Sequence, residues 1–383
     1  MKLLLERNDV NPDVADEDGR TPLRGAAENG HEGVVRILAE QSGVNLNTID
    51  NVYGQTPLSL AAEIGYEGVV RILLERSDVN PNTADENGRT PFNWADENEH
   101  EGVVRMLLGR NDVNLDTADG NGQTPLSSAA ENGYEGVVRI LLERSDVNPN
   151  TADDDGRTPL WWAVQDGGEE VVRILLGRSD VNPNTTDKDG RAPLSWAAEN
   201  GLKEIVGILL ERNDINPDIA DHNGQTPLSL AAENGHGGVV RILLERSDLN
   251  PSTADDDGRT PLWWAVQDGG EEVVGMLLER NDVNPNTADK DGRTPLSWAA
   301  ENGLKRTVGI LLERNDINVD ITDHNGKTAA EWAAQNGYGR IVELLRDRVV
   351  STPRYAASLQ PTNTRSPSLS ESSEPPSKRT RRF

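Results

Sequence analysis

The chain has 383 residues, with 65 acidic and 38 basic side chains, a formal net charge of −27 and no cysteine. A chain without cysteine has neither disulfides nor thiolate metal sites, which suits a reducing compartment. A surface this acidic repels phosphate, which disfavours nucleic acid and anionic membranes as partners. No stretch approaches the roughly 20 consecutive apolar residues of a membrane span.

The first residues, Met1 to Arg7, hold an apolar run far too short for a signal peptide. Leu3, Leu4 and Leu5 instead resemble the second half of a helix whose usual partner helix does not precede it. We therefore expect this edge to fray, or the chain to be a fragment of a longer protein.

A fixed spacing of 34 residues dominates the chain. Its marker is Thr-Pro-Leu or a close variant, which begins at Thr56, Thr90, Thr124, Thr158, Ala192, Thr226, Thr260, Thr294 and Thr328, with an earlier copy at Thr21. A period in this range is typical of stacked units that each contact only their neighbours. Such a chain usually offers a binding surface rather than a catalytic pocket.

Each unit reads as two helices and a tight turn. Thr56 can cap the first helix through its hydroxyl, and Pro57 suits the first helical position because no amide donor is needed there. Gly65 is expected to end that helix in the left-handed conformation. A second helix with an apolar stripe follows, and the later pair Asn87-Gly88 favours a hairpin turn.

The pattern Thr-Pro-Leu-x-x-Ala-Ala-x-x-Gly-His/Tyr-Glu-x-Val-Val-x-x-Leu-Leu, followed by Asp-Val-Asn and Asp-x-x-Gly-Arg-Thr, resembles the ankyrin repeat. The resemblance implies an all-α solenoid of about ten helix-turn-helix repeats with β-hairpin fingers over residues 1–348. It also implies a non-catalytic scaffold that binds a protein or peptide along a concave surface formed by finger tips and first helices. We expect a monomer without cofactors. The alternative is the sensing arm of a larger receptor or enzyme.

The third repeat departs from the pattern. Asp96 replaces the second core alanine, and Glu99 replaces the glycine that ends the first helix. A carboxylate at a core position costs several kcal/mol unless it is paired, and losing the glycine costs about one more. We therefore expect residues 90–115 to be the least stable part of the array.

Tryptophan gives the sharpest indication of a binding surface. Helical geometry of 100° per residue turns one position of the first helix away from its own core and towards the inner face. That position holds Trp94, Trp162, Trp196, Trp264, Trp298 and Trp332, whereas Trp161 and Trp263 lie one residue earlier. The row could bind a basic or apolar peptide by stacking and cation–π contact. In the alternative interpretation, each ring only packs against the next repeat.

Charged residues flank this tryptophan row on both sides. We include them in the predicted partner site: the acidic ones are Glu199, Glu233 and Glu301, and the basic ones are Arg157, Lys188, Arg191, Arg259, Lys290 and Arg293. The acidic excess favours a basic partner, although an acidic surface can also serve only solubility. We find no catalytic residue, because the five histidines lack metal-ligand spacing and no phosphate-binding loop or nucleophile motif is present.

The 34-residue period is lost in residues 349–383, which are rich in Ser, Pro and Thr. This composition predicts a disordered tail. The segment 378–382, Lys-Arg-Thr-Arg-Arg, is either a nuclear import signal or simply a solvated basic segment. The sequence therefore predicts a cytoplasmic protein that could also enter the nucleus.

Overall fold

The computed structural model describes residues 11–351, and side chains up to residue 348. This part of the chain contains twenty α-helices arranged as ten helix pairs. The first helices of the pairs are α1 Pro22–Glu28, α3 Pro57–Ile64, α5 Pro91–Glu97, α7 Pro125–Glu131, α9 Pro159–Asp166, α11 Pro193–Glu199, α13 Pro227–Glu233, α15 Pro261–Asp268, α17 Pro295–Glu301 and α19 Ala329–Gln335. The second helices are α2 Glu32–Ala39, α4 Glu67–Leu74, α6 Glu101–Leu108, α8 Glu135–Leu142, α10 Glu169–Leu176, α12 Lys203–Leu210, α14 Gly237–Leu244, α16 Glu271–Glu279, α18 Lys305–Glu313 and α20 Gly339–Ser351.

The boundaries of the first helices follow from local chemistry. In α3 the Thr56 hydroxyl accepts a hydrogen bond from the Ser59 amide at 3.0 Å, and proline occupies the first turn. The same helix ends at Gly65, whose φ of 84° lies in the left-handed region that glycine enters at little cost. Threonine caps nine of the ten first helices, and Ala192 at the start of α11 makes no side-chain cap.

The helices form two layers, because first helices pack on neighbouring first helices and second helices on neighbouring second helices. Paired alanines such as Ala61 and Ala62 are fully buried and let the first helices approach closely. Leucine and valine from both layers, for example Leu58 and Val70, complete one continuous core along the array. No repeat can bury its apolar face alone, so stability depends on stacking.

The fingers between repeats are tight turns. In one of them the Asp85 amide donates to the Arg89 carbonyl at 2.9 Å and Gly88 takes a φ of 81°. Successive turns are joined by one backbone bond, such as Lys188 N–H to the Asp155 carbonyl at 2.8 Å. The described residues form no β-strand, so the predicted β-hairpin fingers are present here only as their turns.

An arginine after most of the second helices ties its repeat to the one before. The Arg212 guanidinium donates to the carbonyls of Leu176 and Arg178 at 3.0 and 3.1 Å, and is held in a bidentate pair by Asp214. Leu176 ends α10, where helical carbonyls lack partners within the helix. Pairs of this kind occur at Arg76–Asp78, Arg110–Asp112, Arg144–Asp146, Arg178–Asp180, Arg212–Asp214, Arg246–Asp248, Arg280–Asp282 and Arg314–Asp316.

A second row of contacts runs through asparagine side chains in the loops. The Asn184 amide donates to the Asp214 carbonyl at 2.8 Å, and its oxygen accepts from the Asn216 amide at 2.8 Å. Asp218 occupies the equivalent position one repeat later and only accepts, from the Asn250 amide at 3.0 Å. Burial and the nearby Asp248 charge raise the pKa of Asp218, although the Asn250 hydrogen bond opposes this.

We expect Asp218→Asn to stabilise the array by about 1 kcal/mol at neutral pH, because the amide can donate to the Asp248 carbonyl where the carboxylate cannot. A carboxyl whose pKa is raised on folding costs stability as pH rises through that pKa, so the gain should shrink in acid. The matched control Asn184→Asp should destabilise by a similar amount. Denaturant unfolding of both variants at pH 4 and pH 7 measures this, and equal effects at the two pH values would contradict it.

The third repeat contains the predicted irregularities. Asp96 is fully buried, and neither carboxylate oxygen makes a hydrogen bond of normal geometry. Burial raises the pKa of Asp96 well above its usual range, and the nearby Ser128 hydroxyl only partly opposes this. Glu99 has a φ of 56°, which makes it the one non-glycine residue with positive φ among the described residues. Both features support a weak third repeat, whose stability remains a prediction.

Asp96→Ala should increase the free energy of unfolding by on the order of 3 kcal/mol at pH 7, because alanine at this position buries no polar group. The carboxyl holds its proton more tightly in the folded state, so wild-type stability falls as pH rises and the benefit of alanine grows with pH. Glu99→Gly should add about 1 kcal/mol at every pH. Hydrogen exchange of residues 90–115 provides the measurement. Protection there equal to that of repeats five to nine in the wild type would show the idea to be wrong.

Candidate partner-binding groove

A groove runs along the array between the finger turns and the first helices, and we call it the finger-side groove. It contains three cavities. One of about 400 Å³ lies between Asp189 and Glu233, one of about 580 Å³ between Glu86 and Asn121, and one of about 260 Å³ between Asp291 and Trp332. Their linings are mostly charged and amide side chains, so this surface selects for polar or charged groups.

The tryptophans of the predicted row do not share one environment. Trp94, Trp196, Trp298 and Trp332 are partly exposed. Trp162 and Trp264 are only 7% and 8% exposed, and Trp161 and Trp263 are fully buried. The prediction that all six rings of the row face the groove is therefore wrong for Trp162 and Trp264, which belong to the core.

Neighbouring rings explain this burial. Trp161 contacts Trp162 edge-on at 5.5 Å between ring centroids and Trp196 of the next repeat at 5.0 Å. The indole N–H of Trp162 donates to Asp153 at 3.0 Å, which fixes the ring against its own finger. The same cluster recurs at Trp263, Trp264 and Trp298 with nearly identical distances. Each cluster joins two adjacent repeats, as the packing interpretation predicted.

Cations of the chain itself cover the partly exposed rings. The Arg191 guanidinium lies 5.1 Å from the centre of Trp196, and the Arg89 guanidinium lies 3.8 Å from Trp94. Arg157, Arg259 and Arg293 make the same contact with their own tryptophans, and Lys327 covers Trp332 at 4.0 Å. The cation–π contacts predicted for a partner are thus already made within each repeat.

These cations are also anchored by carboxylates. Arg191 contacts Asp187 at 3.4 Å, Asp189 at 3.0 Å and Glu199 at 3.4 Å. Arg293 repeats the arrangement with Asp289, Asp291 and Glu301 at 3.9, 2.8 and 3.4 Å. The hydrogen bond from Arg293 lowers the pKa of Asp291. Glu199 and Glu301 are therefore neutralised by partners within their own repeats.

The remaining basic residues of the predicted site lie at the finger tips. Lys188 and Lys290 reach back to Asp155 and Asp257 of the preceding fingers at 3.4 and 3.8 Å. Arg157 and Arg259 contact the same two aspartates at 3.9 and 3.7 Å. Since Lys188 and Lys290 are well exposed, these tips can exchange an internal ion pair for one with a partner.

One functional distinction was missed from the sequence. The residue immediately before each capping position, here called the cation slot, holds Arg20, Gln55, Arg89, Gln123, Arg157, Arg191, Gln225, Arg259, Arg293 and Lys327. Where it holds glutamine, the amide donates to the helix glutamate without neutralising it, as in Gln225 to Glu233 at 2.6 Å and Gln123 to Glu131 at 2.8 Å. The sequence does show this distinction, because the residue before Thr-Pro is arginine in some repeats and glutamine in others.

The described residues contain no group of three or more His, Asp or Glu placed to hold a metal ion. Within the same residues, no helix has the length and apolar character needed to cross a bilayer.

Comparison with known proteins supports the fold. The family described as "Ankyrin repeats (3 copies)" matches residues 1–85, 77–153, 145–221, 213–289 and 279–352. A comparison with curated proteins gives no match. Among solved structures, the chain is similar to the ankyrin repeat domain of Bcl-3, described as a unique member of the IkappaB protein family. The TM-score is 0.55 at 29% sequence identity, covering 60% of this chain and 100% of that one.

The family match extends over nearly the whole array. It agrees with the capped first helices, the glycine-ended turns and the two-layer stacking of the ten helix pairs. On these grounds, the chain belongs to the ankyrin repeat family.

Proposed function

We propose that this chain is a non-catalytic scaffold that binds an extended basic segment of a partner protein along the finger-side groove. Ankyrin repeats generally act as protein interaction modules, and the groove corresponds to the concave surface that the family resemblance implies. The observation that carries the proposal is the excess of carboxylates in the groove. Glu131 and Glu233 are paired only with the neutral amides of Gln123 and Gln225.

The charge of the whole molecule supports the same class of partner. The formal net charge of −27 includes a basic stretch after residue 349, so the repeats themselves are more acidic still. Such a field attracts cationic segments and accelerates their encounter, and salt screens it over roughly 10 Å. Because Arg191, Arg293 and Lys188 in the groove are already paired with carboxylates, an acidic partner that binds them would have to break existing ion pairs.

The partly exposed tryptophans supply the apolar part of the proposed site. Trp196 and Trp298 each lie beneath an arginine of their own repeat. A partner side chain could slide along these arginines and cover the remaining ring surface, because planar guanidinium groups stack on one another and on aromatic rings. Trp162 and Trp264 are buried and would contribute to stability alone.

The double variant Trp196→Leu, Trp298→Leu should keep the fold, because Leu60 and Leu230 already occupy this position in other repeats. It should weaken binding of an arginine-rich probe peptide by about 1 kcal/mol or more, through loss of ring contacts. The matched variant Trp162→Leu, Trp264→Leu should instead lower the melting temperature and leave the affinity per folded molecule unchanged. Titration calorimetry and thermal unfolding measure the two quantities. Unchanged affinity in the first variant would assign the row to packing alone.

Glu233→Gln should weaken binding of the same probe, with an effect that diminishes as salt is raised. The control is Glu245→Gln, which removes the same charge from an exposed residue beside the second helices. Equal losses in the two variants would mean that only net charge matters, and the groove would not be the binding surface. The comparison is made from dissociation constants at about 50 and 300 mM salt.

A further inference from the structure

The cation slots show how this groove binds a guanidinium group. At Arg191 the side chain lies over the first helix and reaches finger aspartates on one side and the helix glutamate on the other. Arg293 repeats the geometry. The chain therefore contains internal examples of a guanidinium bound by this set of carboxylates.

The Gln225 slot offers the finger aspartate Asp221 and the helix glutamate Glu233 at the equivalent positions without the cation, and Asn223 takes the place of Asp189. Oδ1 of Asp221 accepts the amides of Asn223 and Gln225 at 2.9 and 2.8 Å, and Oδ2 accepts no hydrogen bond from the described part of the chain. On the other side, the Glu233 carboxylate accepts a hydrogen bond from the Gln225 amide at 2.6 Å and forms no ion pair within the described residues. Leu230 lies where other repeats place tryptophan, and provides an apolar floor.

A cavity of about 400 Å³ lies at this slot. Four carboxylates line it, from Asp189, Glu199, Asp221 and Glu233, together with the guanidinium of Arg191 and the imidazole of His222. Arg191 is already bound to Asp189 and Glu199, so Asp221 and Glu233 are left without a positive partner. A guanidinium entering here would meet two carboxylates at positions equivalent to those that bind Arg191 and Arg293.

We propose that this cavity, the Gln225 site, binds an arginine of the basic segment 378–382 of the same chain. The proposal rests on the proposed function, since it requires the groove to accept basic segments. The segment carries Lys378, Arg379, Arg381 and Arg382 within five residues, opposite in sign to the site. When bound, it competes with a basic partner for the finger-side groove.

The length of the chain permits this contact. The last described residue, Ser351, is followed by 27 residues up to Lys378. They can span roughly 90 Å when extended and about 30 Å on average as a flexible chain. The Gln225 site is three repeats back from the last one, or roughly 30 Å at a helix spacing of about 10 Å. Because the average reach of the segment matches the distance to the Gln225 site, the effective concentration of the segment at that site is in the millimolar range.

The slots at Gln55 and Gln123 are less suited than Gln225 to binding the basic segment. At Gln55 the finger aspartate Asp50 is already bound by the buried Arg24 at 3.0 Å. Gln123 has the same chemistry as Gln225, but it is six repeats from the last one, about 60 Å away, where a flexible segment is far less concentrated. Gln123 is therefore the natural control position.

The chain has no cysteine, so two introduced cysteines can be labelled cleanly for energy transfer. Ser377→Cys places one label beside the basic segment, and Ala220→Cys places the other next to Asp221 in the full-length protein. At low salt we expect high transfer that is independent of protein concentration. Adding Gln225→Arg should reduce it, because the introduced arginine occupies the site and releases the segment, and the fold should be retained because arginine fits this slot in other repeats.

The matched change Gln123→Arg adds the same charge three repeats away and should leave transfer nearly unchanged. High transfer that Gln225→Arg does not reduce would overturn the proposal, as would low transfer in the starting protein. Transfer that rises with protein concentration would also overturn it, because the contact would then be between two copies.

A second readout separates this proposal from the proposed function. Replacing the four basic residues of segment 378–382 by glutamine should tighten binding of the arginine-rich probe peptide by several-fold, since the internal competitor is removed. If the probe binds the groove equally well with and without the basic residues, the internal contact is wrong while the groove still binds basic segments. If the probe does not bind at all, both proposals fail.

Discussion

The arginine that follows most of the second helices makes the contact on which the regularity of this array depends. It donates to the carbonyls at the end of the previous second helix while an aspartate two residues later holds it in place, as in Arg212 and Asp214. Those carbonyls have no partner inside their own helix. Because the same atoms meet at nearly every junction, the repeats keep one register, and the fingers, cation slots and tryptophans fall into continuous rows.

Because the repeats keep one register, acidic and basic side chains alternate along the groove. Arginines such as Arg191 and Arg293 in the cation slots neutralise carboxylates of their own repeats and lie over their own tryptophans, so these parts of the groove are internally balanced. Binding specificity then depends on the repeats that break the pattern. Replacement of arginine by Gln225 leaves Asp221 and Glu233 without a cation, which converts a structural ion-pair network into a local site for a positive group.

Departures from the repeat pattern have different consequences in the core, in the loops and in the groove. In the core, Asp96 takes the place of alanine, and within the described residues neither of its oxygens makes a hydrogen bond of normal geometry, so we expect it to cost stability. In the loops, Asp218 takes the place of asparagine and loses one of two hydrogen bonds. In the groove, glutamine in place of arginine costs little, because its amide still contacts the glutamate while the surface remains open to solvent. The groove is therefore where sequence changes can accumulate without unfolding the array.

The sequence by itself determined the period, the family, the helix starts at Thr56 and its equivalents, and the anomaly at Asp96, because these depend on local chemistry within one repeat. Predictions for residues 1–10 and 352–383 lie outside the described residues. Only the tertiary structure decided which tryptophans are buried and that cations already cover the others. A helical projection gives the direction of Trp162 relative to its own axis, but the adjacent Trp161 and the Asp153 carboxylate of its finger decide where the ring comes to rest. Trp196 of the next repeat packs on Trp161 at 5.0 Å and completes the cluster, and its position is set by the stacking of repeats and not by the sequence of one repeat.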